Sequence, residues 1–85
     1  MLNYSGDTIN GVPNGYGKAT FKNGNVYEGE FEDGTMHGQG KMLWPTGESW
    51  VGEWDEGYPW NGTEYDAQGK VVAIYEDGEI IMHDE

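Results

Sequence analysis

The strongest constraint on the fold of this chain is a period of 23 residues in its aromatic and glycine positions. Tyr4, Tyr27 and Trp50 open successive copies, and Phe31 and Trp54 mark a second position at the same spacing. The glycines that recur at this period are Gly6, Gly29 and Gly52; Gly11, Gly34 and Gly57; Gly15 and Gly38; Gly17 and Gly40; and Gly24 and Gly47. A fixed period of roughly 20–50 residues predicts a repeat array in which each unit packs on its neighbours.

The 85 residues are enough for one domain, which we divide by this period. The predicted copies are residues 4–26, 27–49 and 50–71, with a partial fourth copy at 72–82, all within a single domain of residues 1–85. After Gly57 the register slips, because Gly69 follows Gly47 by 22 residues and Tyr75 follows Trp54 by 21. We therefore expect the third copy to lack one or two residues, and the last copy to cap the array.

Each copy is predicted to form two short β-strands. In YEGEF, Tyr27, Gly29 and Phe31 alternate with Glu28 and Glu30, which is the period of a half-buried strand. Asn-Gly, Asp-Gly and Pro-Thr-Gly sequences between the strands indicate hairpin turns. No stretch shows a helical stripe. We predict an all-β fold, a single twisted antiparallel meander of seven or eight strands built from stacked hairpins, with essentially no helix. The mid-strand glycines are expected to make room for an aromatic ring from the next hairpin.

The repeat, read as Tyr-x-Gly-x-aromatic, then a glycine, then Gly-x-Gly, resembles the MORN (membrane occupation and recognition nexus) family. The matching segment is YEGEFEDGTMHGQGKMLWPTGE, residues 27–48, followed by WVGEW, and the resemblance covers roughly residues 4–78. It implies stacked β-hairpins and a non-enzymatic interaction surface, in a family first linked to membrane lipids. With four lysines and no arginine, however, we expect this chain to have little attraction to phospholipid headgroups.

The charge of the chain points to a basic partner. Sixteen acidic residues against four lysines give a net charge of −12, which repels nucleic acids and anionic membranes and attracts basic surfaces. We expect one sheet face and the adjoining turns to form the partner-binding surface. Its predicted residues are Glu28, Glu30, Glu32, Asp33, Glu48, Glu53, Asp55, Glu56, Glu76, Asp77 and Glu79. The alternative is that these carboxylates only keep the sheet soluble, for which a net charge of about 2–8 in magnitude suffices.

The aromatic residues are predicted to serve two purposes. Five of them are expected to form the core on the opposite face of the sheet; these are Tyr27, Phe31, Trp44, Trp50 and Trp54. A single-layer sheet cannot cover every ring, so we expect exposed aromatic anchors for a partner in the irregular segment GYPWNG, namely Tyr58 and Trp60.

No catalytic, metal or cofactor site is predicted. The chain has no cysteine, its two serines lie outside a nucleophile-elbow motif, and His37 in TMHGQG is interpreted as a turn residue. The carboxylates beside glycine turns do not follow the spacing of a calcium loop. The start MLNYSGDTIN lacks the features of a signal peptide, and no apolar run approaches the ~20 residues of a membrane helix, so we expect a cytoplasmic protein.

These observations favour a non-enzymatic, acidic protein-binding module. The leading hypothesis is an inhibitor that occupies the basic nucleic-acid-binding surface of a partner, as DNA mimics and phage anti-CRISPR proteins do, by analogy of size and charge. The alternative is a MORN scaffold or assembly module that binds through its aromatic face or a sheet edge, including self-association, or that associates with phospholipid.

Overall fold

A computed structural model describes residues 3–83 as one eight-stranded antiparallel sheet. The strands are β1 (Asn3–Ile9), β2 (Val12–Thr20), β3 (Val26–Glu32), β4 (Thr35–Leu43), β5 (Ser49–Asp55), β6 (Tyr58–Tyr65), β7 (Val71–Glu76) and β8 (Glu79–His83). They pair in chain order, and none of these residues is helical. The predicted all-β meander without helix is confirmed.

Two kinds of turn alternate along the chain and lie at opposite sides of the sheet, at the two ends of the strands. The turns within hairpins have two residues, both with positive φ, which is the geometry of the tight hairpin turns that follow the twist of the strands. We call them the hairpin tips; they are Asn10-Gly11, Asp33-Gly34, Glu56-Gly57 and Asp77-Gly78. Longer turns at residues 21–25, 44–48 and 66–70 join one hairpin to the next. All four tips therefore lie along one edge of a molecule that measures 44 × 25 × 15 Å.

A row of glycines crosses the sheet and holds the aromatic rings. The row runs through six consecutive strands as Gly6, Gly17, Gly29, Gly40, Gly52 and Gly62. The ring of Tyr27 lies against Gly40, so closely that a Cβ atom there would overlap it, and Trp50 lies against Gly62 in the same way. Each ring comes from the first strand of its own hairpin. The expectation that it would come from the next hairpin is therefore wrong. The Tyr27 hydroxyl donates to the carbonyl oxygen of Glu30 at 2.9 Å, which keeps the ring over its own strand pair.

The core is a continuous ladder of edge-to-face aromatic rings, with neighbouring centroids 5.0–5.5 Å apart. Its order is Tyr4, Phe31, Tyr27, Trp54, Trp50 and Tyr75. Each such pair contributes about 1 kcal/mol beyond the burial of its surface. The four predicted core rings within the ladder are buried, and Trp44 packs against them half-buried. The ladder ends at Tyr75, since neither Val71 nor Val72, which open the last hairpin, is aromatic.

The register slip of the third copy arises partly in a β-bulge. Between β3 and β4, Gly29 pairs with Gly40 and Phe31 with Met36, so residues 37–39 lie opposite Glu30 alone. Between β5 and β6, the pairs Glu53–Asn61 and Trp54–Pro59 leave Trp60 as the only extra residue. The bulge of the third copy is thus one residue shorter, and it lacks the glycine that Gly15 and Gly38 provide in the first two copies.

We expect Gly40→Ala to destabilise the fold by about 3 kcal/mol, because the added methyl group overlaps the buried ring of Tyr27. Gly69→Ala is the matched control. It meets no atom within 4 Å, and its cost of about 1 kcal/mol comes only from the left-handed backbone at φ +85°. Urea unfolding followed by circular dichroism measures both. Equal losses in the two variants would show that the glycine row does not make room for the rings.

We also expect stability to fall as the pH rises above about 10. Burial, followed by the nearby Glu30 carboxylate, raises the pKa of Tyr27 well above its ordinary value, and burial also raises the pKa values of Tyr4 and Tyr75. The unfolded chain releases these protons near pH 10 whereas the folded chain keeps them, so the stabilisation is complete below pH 10 and is lost above it. Urea midpoints measured across this range report the loss.

Tyr27→Phe should flatten that alkaline decline, because it removes the group with the largest shift. The variant also loses the hydrogen bond to Glu30, at a cost of about 1 kcal/mol at neutral pH. An alkaline decline as steep as that of the unmodified chain would assign the effect to other groups.

Candidate functional site

The negative charge of the chain is concentrated along the hairpin tips. Seven acidic residues, and no lysine, lie in the second, third and fourth tips or next to them, whereas the first tip carries the neutral Asn10. We call this surface the acidic tip edge; its acids are Glu32, Asp33, Asp55, Glu56, Glu76, Asp77 and Glu79. All seven belong to the predicted partner-binding set, and the fold brings them to one side of the molecule.

The opposite edge of the sheet is balanced in charge. Its connecting turns carry Glu48 and Asp66 together with Lys22 and Lys70. The Glu48 carboxylate accepts a hydrogen bond from the Thr46 hydroxyl at 2.8 Å. Glu48 was predicted to belong to the partner-binding surface, but the fold places it across the sheet from the other turn acids.

The sheet face opposite the aromatic ladder, which we call the outer face, is not uniformly acidic. Glu28 lies between Lys18 and Lys41, which are its register partners on the two flanking strands. The same row continues to Val51 and Thr63. Lysines therefore interrupt the negative charge of the sheet face on which Glu28 was predicted to be part of the partner-binding surface. A pattern of alternating residues within one strand does not say which residues lie beside it on the neighbouring strands.

Two of the predicted acids on this face brace the bulges. The Glu30 carboxylate accepts a hydrogen bond from the backbone amide of Gln39 at 2.6 Å, and the Glu53 carboxylate accepts one from the Asn61 side chain at 2.7 Å. Asp7 has the same role in the first copy. This bracing role was not predicted, although the sequence carries a signal for it: Asp7, Glu30 and Glu53 are spaced by the repeat period.

The second, third and fourth tips are each held against the preceding copy by a pair of backbone amides. The glycine amides of the second, third and fourth tips donate to carbonyl oxygens of the previous hairpin at 2.8–2.9 Å. The amide of the residue just before each of these glycines donates to a side chain of the previous hairpin instead. Their three contacts are Asp33 to Asn14 at 3.1 Å, Glu56 to His37 at 3.4 Å and Asp77 to Asn61 at 2.9 Å. The backbones of the acidic tips are therefore fixed in a row, two strands or about 10 Å apart.

His37 lies within β4, so its interpretation as a turn residue is wrong. Besides accepting from the Glu56 amide, it places Nε2 3.5 Å from the Glu32 carboxylate and Nδ1 3.6 Å from that of Asp55. His37, Glu32 and Glu56 border a shallow depression of about 440 Å³, lined also by Asp33 and Thr35. Within residues 3–83, no group of three or more histidine and carboxylate side chains is arranged to hold a metal ion.

The two predicted aromatic anchors lie beside the acidic tip edge. Tyr58 is 71% exposed and stands opposite Asp55 at the third tip. Trp60 is 36% exposed, and its ring lies against Gly78 of the fourth tip, where an added Cβ atom would come within 2.8 Å of it. Their role in binding stays a prediction.

His37→Asn is expected to leave stability close to that of the unmodified chain, because Asn14 and Asn61 accept the corresponding tip amides in the other copies. His37→Ala removes the acceptor and should cost about 0.5–1 kcal/mol at pH 7. Thermal unfolding of the two variants makes the comparison. If both were equally destabilised, the contacts of His37 with Glu32 and Asp55 would be what holds this tip.

Comparison with known proteins supports the repeat assignment. The family profile described as MORN repeat matches residues 4–26 and 27–49, which are the first two predicted copies and more than half of the chain. A search of curated proteins finds no match. No helix in the described part of the chain is long and apolar enough to span a membrane. MORN repeat modules are generally scaffolds that bind proteins or membranes, and they are typically non-catalytic. The two matched repeats and the stacked hairpins identify the chain as a member of the MORN repeat family.

Proposed function

We propose that this MORN repeat module is a non-enzymatic scaffold that binds a basic protein surface through its acidic tip edge. The observation that carries the proposal is the placement of seven carboxylates, without a lysine, along one edge of the sheet. The other edge is balanced in charge, and lysines interrupt the outer face. A field of one sign on one side of a molecule steers and orients an oppositely charged partner.

The tip hydrogen bonds support this proposal because they fix the backbone that carries the charges. The amides of Asp33, Glu56 and Asp77 are each bonded to the preceding copy, so these loops need little ordering when a partner binds. Binding is more favourable at a surface that is already ordered, because less conformational entropy is lost when the complex forms.

The aromatic face is less suited to bind a partner. Tyr27 and Trp50 are 0% and 1% exposed, and their rings are engaged in the ladder and the glycine row. In the alternative assembly role, the outermost strands of the sheet, β1 and β8, are available to pair with a strand of another molecule. For lipid association the acidic tip edge is unfavourable, because it repels anionic headgroups.

A narrower form of the proposal is an inhibitor that occupies a basic nucleic-acid-binding channel, in the manner of DNA mimics and phage anti-CRISPR proteins. The specific observation in its favour is the row of carboxylate pairs along the tips, spaced at about 10 Å. Such mimicry is limited to the acidic tip edge, because the positive charges of Lys18 and Lys41 interrupt the outer face.

Low-salt capture from a bacterial lysate, followed by competition with duplex DNA, tests the narrower form. A captured nucleic-acid enzyme that releases the chain when DNA is added would support mimicry. An enzyme that holds the chain and DNA together would contradict it.

The scaffold proposal predicts that a decalysine peptide binds the chain at about 50 mM salt and is released at about 500 mM. The double variant Asp33→Asn/Glu56→Gln removes two tip charges and should weaken binding about fivefold, at roughly 0.5 kcal/mol for each exposed charge pair. Fluorescence anisotropy of labelled peptide measures the affinity.

The matched control for this test is Glu28→Gln/Glu48→Gln. It has the same net charge as the tip variant but leaves the acidic tip edge intact, so its affinity should change by less than twofold. Equal weakening by both variants would mean that only the overall charge of the chain matters, which would contradict a binding site at the tips.

A further inference from the structure

Tyr58 and Trp60 occupy positions where the repeat does not need an aromatic residue. At the tip position of Tyr58, the first two hairpins have Val12 and Thr35, each opposite the residue that precedes its tip turn. The carbonyl oxygen of Trp60 accepts the glycine amide of the next tip. In the first two copies the equivalent acceptors are the carbonyl oxygens of Pro13 and Met36. Neither ring is part of the aromatic ladder. The aromatic ladder therefore does not explain their presence.

Both rings are set among the charges of the acidic tip edge. Asp55 is the cross-strand partner of Tyr58, and Glu56 begins the tip turn that leads into it. The ring of Trp60 lies against Gly78, and the Trp60 carbonyl oxygen accepts a hydrogen bond from the Gly78 amide at 2.9 Å. Trp60 is therefore close to Asp77, the residue before Gly78. Two partly exposed aromatic residues thus neighbour acidic residues of the third and fourth tips. We call this the aromatic-acid patch; its residues are Asp55, Glu56, Tyr58, Trp60 and Asp77.

We propose that the aromatic-acid patch is a docking site for arginine side chains of the basic partner, and that it prefers arginine to lysine. This inference rests on the proposed function, since it specifies which cation the acidic tip edge selects. A guanidinium group is planar and weakly hydrated, so it stacks on a Tyr or Trp ring while its N–H groups donate to neighbouring carboxylates. The compact ammonium group of lysine is strongly hydrated and gains less from an aromatic surface.

The composition of the chain decides between possible occupants of the patch. A second copy of this chain cannot supply the guanidinium, because the sequence contains no arginine. Nucleic acid and anionic lipid offer phosphate groups, which the flanking carboxylates repel. An arginine-bearing segment of a different protein complements the patch in charge and in shape. Exposed Tyr and Trp side chains are also among the residues that contribute most to binding at protein interfaces.

Decaarginine and decalysine peptides, equal in charge and length, test the inference at about 50 mM salt. We expect the chain to bind decaarginine about fivefold more tightly than decalysine. The double variant Tyr58→Thr/Trp60→Met introduces two residues that the second copy tolerates: Thr35, which has the register position of Tyr58, and Met36, whose carbonyl oxygen accepts the next tip's glycine amide as that of Trp60 does. The hairpin should therefore still form. The variant should lose the preference for arginine while its affinity for decalysine changes by less than twofold.

Two controls make this test specific. Tyr58→Phe keeps the ring and should keep the preference. Tyr16→Thr removes another exposed aromatic side chain, 58% exposed in β2, whose register partner Glu30 is not among the acids of the acidic tip edge, and it should also keep the preference. Circular dichroism establishes that each variant is folded before affinities are compared.

The outcomes separate this inference from the proposed function. If the aromatic double variant keeps the preference, or if Tyr16→Thr loses it, the inference is overturned while binding at the acidic tips stands. Equal affinity of the unmodified chain for the two peptides overturns it as well. If neither peptide binds at low salt, the proposed function fails together with the inference.

Discussion

The contact between an aromatic ring and the glycine of the paired strand is the interaction on which the rest of this structure depends. A sheet of one layer has no second layer to cover its apolar face, so the side chains must provide that cover themselves. Tyr27 does so by lying against Gly40, and Trp50 by lying against Gly62. Rings that lie close to the backbone can meet the next ring edge to face, which produces a continuous core in a chain this small.

The stacking of hairpins also explains where the charge lies. Because every within-hairpin turn falls on the same edge of a meander, acids at one repeat position form a row in space. The row is held by one recurring backbone contact with three different side-chain acceptors, Asn14, His37 and Asn61. In the third copy Asn61 also donates to Glu53, so a single side chain compensates for the shorter bulge. The same contacts that join the copies therefore build the candidate binding surface.

Aromatic residues in this protein divide into two groups with different consequences. Those at repeat positions, such as Tyr27 and Trp54, are buried and hold the array together. Tyr58 and Trp60 depart from the repeat, remain exposed and lie among acids. A departure from a repeat is informative because the fold does not require it. The alternative interpretation, in which the carboxylates only confer solubility, accounts for the net charge but not for two exposed aromatic rings beside the acidic residues.

The sequence alone determined the meander order of the strands and four of the six ladder rings, because these follow from local alternation, turn residues and a fixed period. The acids of the tips could be predicted for the same reason. Tertiary structure decided what depends on cross-strand register: that Tyr27 covers its own hairpin, that Lys18 and Lys41 flank Glu28, and that Glu30 braces a bulge. It also placed His37 in a strand, since its bulge exists only once β3 and β4 are paired. Local sequence specifies which residues form a strand, but their neighbours are set by the pairing of the whole sheet.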